Sequence, residues 1–215
     1  MFKRKLLKQS KIKRLLLKLL NVYAYDKETL NLVNPNYKNE QKNLVKFNDK
    51  SFNFSRGYLD LTRKIKNLDI YFRFSPKNNL WNSSKGAQRI IPNIKKEKLI
   101  SICLLSLKNS ILNFLKNNKL DISLHLIGDN SNFDFDDHLL KIAESKFIKV
   151  ILYKSKIEGN RGSYLECCDQ AVNSKDLIFF VEDDYLFEID CIEEMILSYS
   201  RITSLLKEDI FLCPS

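Results

Sequence analysis

Three carboxylates follow one short apolar run of the chain. The run at 177–181 predicts a buried strand, and Glu182, Asp183 and Asp184 come directly after it. Between Asp176 and Glu194 there are eight acidic side chains and no basic one, although the net charge of the protein is +10. Such close like charges repel unless a cation neutralises them, and Mg²⁺ and Mn²⁺ prefer carboxylate, water and phosphate oxygens. The run therefore predicts a divalent metal site, with a solvated strand end as the alternative.

Polar residues follow the other predicted strands as well. Ligands of open α/β sheets bind outside the carboxyl ends of the strands, so these residues are candidates for the same site. Three of the five glycines lie in these loops, where the backbone turns sharply or approaches a ligand closely. The candidates that precede the acidic run are Ser106, Asp129, Asn160, Arg161 and Gly162. Arg161, at a predicted helix start, is expected either to bind phosphate or to be an exposed loop residue.

Short apolar runs alternate with segments of helical period along the second half of the chain. This alternation predicts βαβ units and an open, mostly parallel α/β sheet with helices on both faces. The predicted strands are 99–106, 122–128, 149–153, 177–181 and 210–213. The predicted helices between them are 109–118, 137–145, 164–173 and 191–206, each long enough for a right-handed crossover.

The positive charge is concentrated at the N-terminus. Residues 1–20 hold eight Lys or Arg and no acid, which leaves 28 basic against 26 acidic side chains in the rest. Because positive and negative charges nearly cancel outside residues 1–20, the rest of the chain does not indicate a nucleic acid partner. Apolar residues at helical spacing predict a basic amphipathic helix over 1–20 that is bound to an anionic membrane surface, packed on its own domain or solvated.

Composition divides the chain into three parts. After the basic helix, residues 21–96 are rich in Asn and Lys and form an N-terminal extension of unassigned function, with a strand-like run at 68–74. Pro92 marks a break, and the ordered domain is predicted over 97–215. The chain has neither the ~20 consecutive apolar residues of a membrane span nor a recognisable signal peptide. The expected location is the cytoplasm, peripheral to the inner face of the cell membrane if residues 1–20 attach there.

Residues 180–184, Phe-Val-Glu-Asp-Asp, resemble the DxD motif of GT-A glycosyltransferases in a Glu-Asp-Asp form. Two further segments are similar in order and spacing to the family-2-like members. Residues 128–131 match the acidic loop after the second strand, and residues 160–163 match the Asn-x-Gly that leads into a helix. Gly128 departs from the pattern, because relatives often have Asp at that position. The resemblance covers about residues 97–215.

The resemblance implies a GT-A, Rossmann-like domain that transfers a hexose from a nucleotide-diphosphate sugar to a glycan or lipid-linked acceptor, as in polysaccharide biosynthesis. It implies Mn²⁺ or Mg²⁺ as cofactor, held by Asp184 with Glu182 and bridging the diphosphate. Asp129 is expected near the base or ribose, and Glu182 and Asp183 near ribose or metal-bound water. The implied nucleotide-sugar-binding residues are Ser106, Asp129, Asn160, Arg161, Gly162, Glu182 and Asp183.

The resemblance assigns no catalytic residue. Inverting members take their base from the part after the fifth strand, which lies beyond Ser215, so the domain is expected to be truncated and the choice between inversion and retention is open. Two other functions also stay open. A nucleotidyltransferase of sugar phosphates usually has a glycine-rich basic loop after its first strand, and residues 106–110 contain no glycine. A non-catalytic membrane-surface binding protein would act through residues 1–20 alone.

Overall fold

The computed structural model of the chain describes residues 51–54, 57–77 and 94–212. These residues belong to two compact units, one formed by Met1–Lys64 with Ile196–Ser215 and the other by Ile65–Met195. We refer to Ile65–Met195 as the sheet unit. The predicted basic helix at 1–20 and most of the predicted extension at 21–96 lie outside the described residues.

In the other unit, strands β1 (Ser51–Phe54) and β2 (Gly57–Asp60) pair antiparallel. The Oγ of Ser204 accepts hydrogen bonds from the backbone N–H groups of Thr62 and Arg63, at 3.0 and 3.2 Å. These bonds hold the segment after β2 to a helix near the end of the chain. All of the predicted site residues belong to the sheet unit.

The sheet unit contains a parallel sheet built from β3 (Asn67–Phe74), β4 (Asp121–Gly128), β5 (Lys149–Lys154) and β6 (Leu177–Val181). The strand order is β5-β4-β3-β6, and each neighbouring pair is parallel. The chain moves outward from β3 to β4 to β5 and then returns to the other side of β3. The carboxyl ends of β3 and β6 therefore flank the point at which the strand order reverses, where open α/β sheets bind their ligands.

Helices pack on both faces of this sheet. The described helices of the sheet unit are α1 (Lys96–Leu115), α2 (Phe133–Ala143) and α3 (Asn160–Ala171). A fourth described helix, α4 (Cys191–Leu206), begins in the sheet unit and continues in the other unit. Successive side chains of a strand point to opposite faces. Tyr71 of β3 belongs to a buried cluster with Cys167 of α3, whereas Phe74 contacts the ring of Phe135 in α2 with centroids 6.1 Å apart. The predicted α/β class is therefore confirmed.

Three predicted strands and one predicted helix are confirmed almost to the residue. Strands 122–128, 149–153 and 177–181 are β4, β5 and β6, and helix 191–206 is α4. The predicted helices 137–145 and 164–173 correspond to α2 and α3, which begin at Phe133 and Asn160. Their earlier starts have local causes. Asn132 caps α2 by accepting from the N–H of Phe135 at 2.8 Å, and Gly159, with a φ of 96°, precedes α3.

The predicted strand at 99–106 is wrong, because these residues lie inside α1. A short apolar run does not distinguish a buried strand from a buried helix. The spacing over the longer segment is helical, and the buried side chains of α1 are Ile100, Cys103, Leu104, Leu107, Ser110, Ile111 and Phe114. The helix predicted at 109–118 is the second half of the same element. The predicted strand at 210–213 is also wrong over 210–212, which have no regular structure, and residue 213 lies outside the described part.

The first strand of the sheet is β3, which the sequence analysis assigned to the extension at 21–96. It pairs with both β4 and β6, so it lies in the interior of the sheet. Ile70, Tyr71 and Phe72 are almost completely buried. The sheet unit accordingly begins at Ile65 rather than near the predicted boundary at residue 97.

The corrected α1 gives a stability prediction with a matched control. Leu104 is 0% exposed, whereas its neighbour Leu105 is 46% exposed. Leu104→Ala is expected to lower the free energy of unfolding by about 2–5 kcal/mol, because it leaves a cavity in the core. Leu105→Ala should change it by no more than about 0.5 kcal/mol. Urea denaturation followed by circular dichroism measures both, and equal losses at the two positions would contradict this packing.

A second property of α1 is that it is long and apolar. Within the described part of the chain, α1 is the helix whose length and mean hydropathy of 1.4 would suffice for a membrane span, and the core helix of a soluble protein can have the same properties. In the structure Lys108 of α1 donates to the carbonyl oxygens of Ile142 and Glu144, at 2.7 and 2.8 Å. These contacts and the buried stripe show α1 packed beside α2.

Candidate functional site

A cleft of about 400 Å³ opens at the carboxyl edge of the sheet. It lies where the strand order reverses, between the ends of β3 and β6. The residues that line it come from β3, β6, the end of β4 and the first turns of α1 and α3. They are Arg73, Phe74, Ser75, Lys96, Asp129, Asn160, Ser163, Glu182, Asp183 and Asp184. The acidic run that the sequence analysis placed at a strand exit is thus one wall of this cleft.

Glu182, the first residue of the acidic run, pairs with Arg73. Nη2 of Arg73 donates to Oε1 of Glu182, and Nη1 donates to the carbonyl oxygen and Oδ1 of Asn160 at 3.2 and 2.8 Å. The guanidinium also lies over the ring of Tyr164, with Cζ 5.6 Å from the ring centroid. Arg73 therefore connects the end of β3, the exit of β6 and the start of α3.

Asp183, the second residue of the run, is held from two sides. Its Oδ2 accepts from the N–H of Ser75 at 2.9 Å, and its Oδ1 pairs with Nζ of Lys96 at 2.5 Å. The residue is 9% exposed. Burial raises the pKa of the Asp183 carboxyl, and the bonds from Lys96 and Ser75 oppose that rise. Lys96 is thus the cation that keeps a buried carboxylate in place.

Asp184, the third residue, is partly exposed, and no described residue forms an ion pair with it. Two of the three adjacent carboxylates therefore have cationic partners from elsewhere in the chain. The repulsion that led the sequence analysis to a metal is already relieved for Glu182 and Asp183. The cleft lining still holds two cations, Arg73 and Lys96, against the acidic run and Asp129, so carboxylates outnumber cations.

The protein donor set for a metal is small, and the phosphates of a bound ligand would complete it. Among the described residues no three His, Cys, Asp or Glu side chains converge as a metal site. Asp184 is available, and Glu182 becomes available if Arg73 turns away. Mg²⁺ in phosphate-binding sites is commonly held by one or two carboxylates plus the phosphates of the substrate, and this smaller set suits that kind of binding.

Asp129 is buried in the loop after β4, with 1% of its surface exposed. Its Oδ1 accepts from the N–H of Gly159 at 2.9 Å, and its own N–H donates to the carbonyl oxygen of Phe74 at 2.9 Å. These bonds join three strand ends at the cleft. Asp129 in this structure positions the loop before α3, whereas the sequence analysis expected its carboxylate beside a base or ribose.

The start of α3 depends on Gly162, which was predicted to contact the ligand. A Cβ at this position would lie 1.9 Å from the carbonyl oxygen of Ile157, so only glycine lets the preceding turn approach the helix. Gly162 is buried and does not line the cleft, and its role is to shape the loop. Asn160 does line the cleft, whereas Arg161 is exposed and does not.

Ser106 does not belong to the site. It lies in the middle of α1 instead of at a strand end, where its Oγ donates to the carbonyl oxygen of Cys103 at 2.7 Å and accepts from the N–H of Phe187 at 3.1 Å. The residues that the sequence analysis missed are Arg73, Ser75, Lys96 and Ser163. The strand-like run at 68–74 was the available signal for Arg73 and Ser75, because residues that follow a strand mark the ligand edge of a sheet.

Removal of Lys96 tests the buried pair through its pH dependence. A folded-state pKa raised above the unfolded value means that ionised Asp183 opposes folding, so its contribution to stability is greatest below the unfolded pKa and is lost as the pH rises. Lys96→Met removes a group that opposes this rise. The variant should lose about 1–3 kcal/mol of unfolding free energy near neutral pH, and less at about pH 4.5, where the carboxyl can bind a proton.

Chemical denaturation at the two pH values measures this difference, and Lys98→Met provides the control. Lys98 lies on the same helix and is exposed, so its replacement should change stability little at either pH. A Lys96→Met loss that is the same at both pH values would show that Asp183 does not depend on this cation.

Searches of protein families, curated proteins and solved structures gave no match to this chain.

Proposed function

We propose that the chain is a glycosyltransferase whose cleft binds a nucleotide-diphosphate sugar together with a divalent metal. The observation that carries this proposal is the position of the acidic run. Glu182, Asp183 and Asp184 leave β6 beside the end of β3, where the order β5-β4-β3-β6 reverses. In open α/β sheets this position takes nucleotides, and the GT-A fold places its DxD motif at such a strand exit.

The charge of the cleft supports a diphosphate that binds with a metal. A free diphosphate would meet more carboxylates than cations in the lining. A divalent cation would offset that excess, because its two charges and those of Arg73 and Lys96 together equal the charges of the four carboxylates. Asp184 would be its first protein ligand and Glu182 the second. Such a metal stabilises the negative charge that builds on the leaving diphosphate when the bond to the sugar breaks.

Ser75 supports a polar ligand in the same place. Its Oγ is buried and has no hydrogen-bond partner among the described residues, although the residue lines the cleft. A buried hydroxyl without a partner costs free energy, and most such groups in folded proteins are satisfied by protein, water or ligand. We assign this hydroxyl to the bound donor, beside the polar side chains of Asn160 and Ser163.

The roles of the other residues follow from their contacts. Asp129 positions the loop at Gly159, and Gly162 lets that loop pack on α3, so neither is assigned to the nucleotide. Glu182 and Asp183 are paired with Arg73 and Lys96, and neither is assigned as a catalytic base. The acceptor class, a glycan or a lipid-linked glycan, and attachment of residues 1–20 to a cytoplasmic membrane surface remain proposals that follow from the resemblance and from the basic helix.

One structural finding favours a second candidate, a nucleotidyltransferase of sugar phosphates. Nucleotidyltransferases usually have a glycine-rich basic loop after the first strand, and residues 106–110 were compared with that loop because they follow the predicted strand 99–106. These residues lie in α1. The segment that follows the true first strand, β3, contains Lys77, Lys85, Gly86 and Arg89, which is basic but has one glycine. A nucleotidyltransferase would bind a nucleoside triphosphate in preference to a nucleotide sugar, so the two candidates differ in ligand.

Calorimetry with UDP-, GDP- and dTDP-sugars, and with the corresponding triphosphates, tests the proposal in the presence and absence of Mn²⁺. One of the sugar nucleotides should bind in the presence of metal, and Asp184→Asn should weaken that binding about 10- to 100-fold, because a direct metal ligand is lost. Ser75→Ala should also weaken it while leaving the free energy of unfolding unchanged or higher, since an unpaired buried hydroxyl is removed.

The control variant is Glu188→Gln, which removes an exposed carboxylate of the same acidic segment that does not line the cleft. This variant should bind the sugar nucleotide with the same affinity as the wild type. Tighter binding of a triphosphate than of any sugar nucleotide would favour the nucleotidyltransferase. Absence of binding by a folded sample in all mixtures would reject the donor site.

A further inference from the structure

Arg73 occupies one of the two carboxylates that a metal needs. The side chain of Arg73 is 12% exposed, and its guanidinium contacts Glu182, Asn160 and the ring of Tyr164. Oε1 of Glu182 accepts from the guanidinium, and the positive charge of the guanidinium repels a cation that approaches the other oxygen of the same carboxylate. In the absence of an anionic ligand, the metal and Arg73 therefore compete for the same side chain.

The two ion pairs of the cleft differ in how readily they can open. The side chain of Glu182 is 52% exposed at the edge of the cleft, so it can rotate without disturbing the core. Asp183 is buried, and Lys96 and the N–H of Ser75 hold its two oxygens. An exchange of partners is therefore assigned to Glu182, whereas the Lys96–Asp183 pair stays closed.

The guanidinium of Arg73 is also suited to binding phosphate. Arginine binds phosphate oxygens through two parallel N–H groups, which makes a diphosphate a strong rival to a single carboxylate. A diphosphate in the cleft would draw Arg73 from Glu182 and release that carboxylate to the metal. We infer that Arg73 is a positioning residue that competes with a divalent cation for Glu182, and that the exchange makes the diphosphate and the metal bind cooperatively.

The part of this inference that concerns the diphosphate rests on the proposed function, whereas the competition for Glu182 does not. The first test therefore uses Mn²⁺ alone, with binding followed by electron paramagnetic resonance. Arg73→Met should bind Mn²⁺ about tenfold more tightly than the wild type, equivalent to ~1.4 kcal/mol. Arg73→Lys, which keeps a cation beside Glu182, should restore wild-type affinity.

Two further variants separate competition from a general change of charge. Arg161→Met removes an exposed cation that does not line the cleft, and its effect should be less than about twofold, because salt screens exposed charges. The double variant Arg73→Met with Glu182→Gln should lose the gain. Arg73→Gln, which keeps donors for Asn160 but has no charge, replaces Arg73→Met if that variant does not fold.

The outcomes distinguish this inference from the proposed function. If neither uncharged variant binds Mn²⁺ more tightly than the wild type, or if the gain survives Glu182→Gln, Arg73 does not compete for this carboxylate and the inference is overturned. If the gain is seen but no nucleotide sugar binds the wild type, the competition stands and the donor proposal fails. Cooperativity is tested in the wild type by the Mn²⁺ affinity with and without a nucleoside diphosphate, and it should fall in Arg73→Met.

Discussion

The cleft depends on the pairing of an acidic strand exit with two cations from other elements. Glu182 and Asp183 follow the same strand on successive residues, and Arg73 and Lys96 relieve the repulsion between their carboxylates. A buried carboxylate without such a partner costs several kcal/mol, and a lone cation in the same place costs a similar amount. The two pairs thus fix how the end of β3 and the first turn of α1 lie against the exit of β6.

This constraint changes what a metal would do in the site. An isolated acidic run needs a resident cation to relieve its repulsion, but the structure supplies two cations of its own. A divalent ion is then required only when a ligand brings additional negative charge. Under the proposed function the donor and its metal would bind together, and the protein would contribute Asp184, the Ser75 hydroxyl and the half-exposed carboxylate of Glu182.

The parts of the fold that were predictable are those with local signals. Strands β4, β5 and β6 are short apolar runs bounded by turn residues, and the periodicity of α4 is helical throughout. The run at 99–106 was wrongly predicted to be a strand, because an apolar segment of that length suits a strand as well as a buried helix. The run at 68–74 was recognised as strand-like but was assigned to the extension, because the residues around it are rich in Asn and Lys and show little periodicity. In the structure this run is β3, an interior strand of the sheet.

The site residues that could be predicted are also those with a local signal. The acidic run, Asn160 and the loop after β4 follow recognisable strands, so their place at the ligand edge could be expected. Arg73 and Glu182 are 109 residues apart, and Lys96 and Asp183 are 87 apart. No local pattern predicts such pairs, because they form only once β3 and the first turn of α1 lie beside the exit of β6. Ser106 was assigned to the site because it ends the wrongly predicted strand 99–106, and Arg161 because it lies within the Asn-x-Gly segment. Neither lines the cleft.

The most direct measurement is a crystal structure of the protein with Mn²⁺ and the nucleoside diphosphate that binds best. We expect a metal ion on Asp184 and Glu182 at the ends of β3 and β6, with the guanidinium of Arg73 on the diphosphate and Lys96 still paired with Asp183. A nucleotide bound away from this cleft, or bound in it while Arg73 remains on Glu182 and no metal is present, would contradict the account.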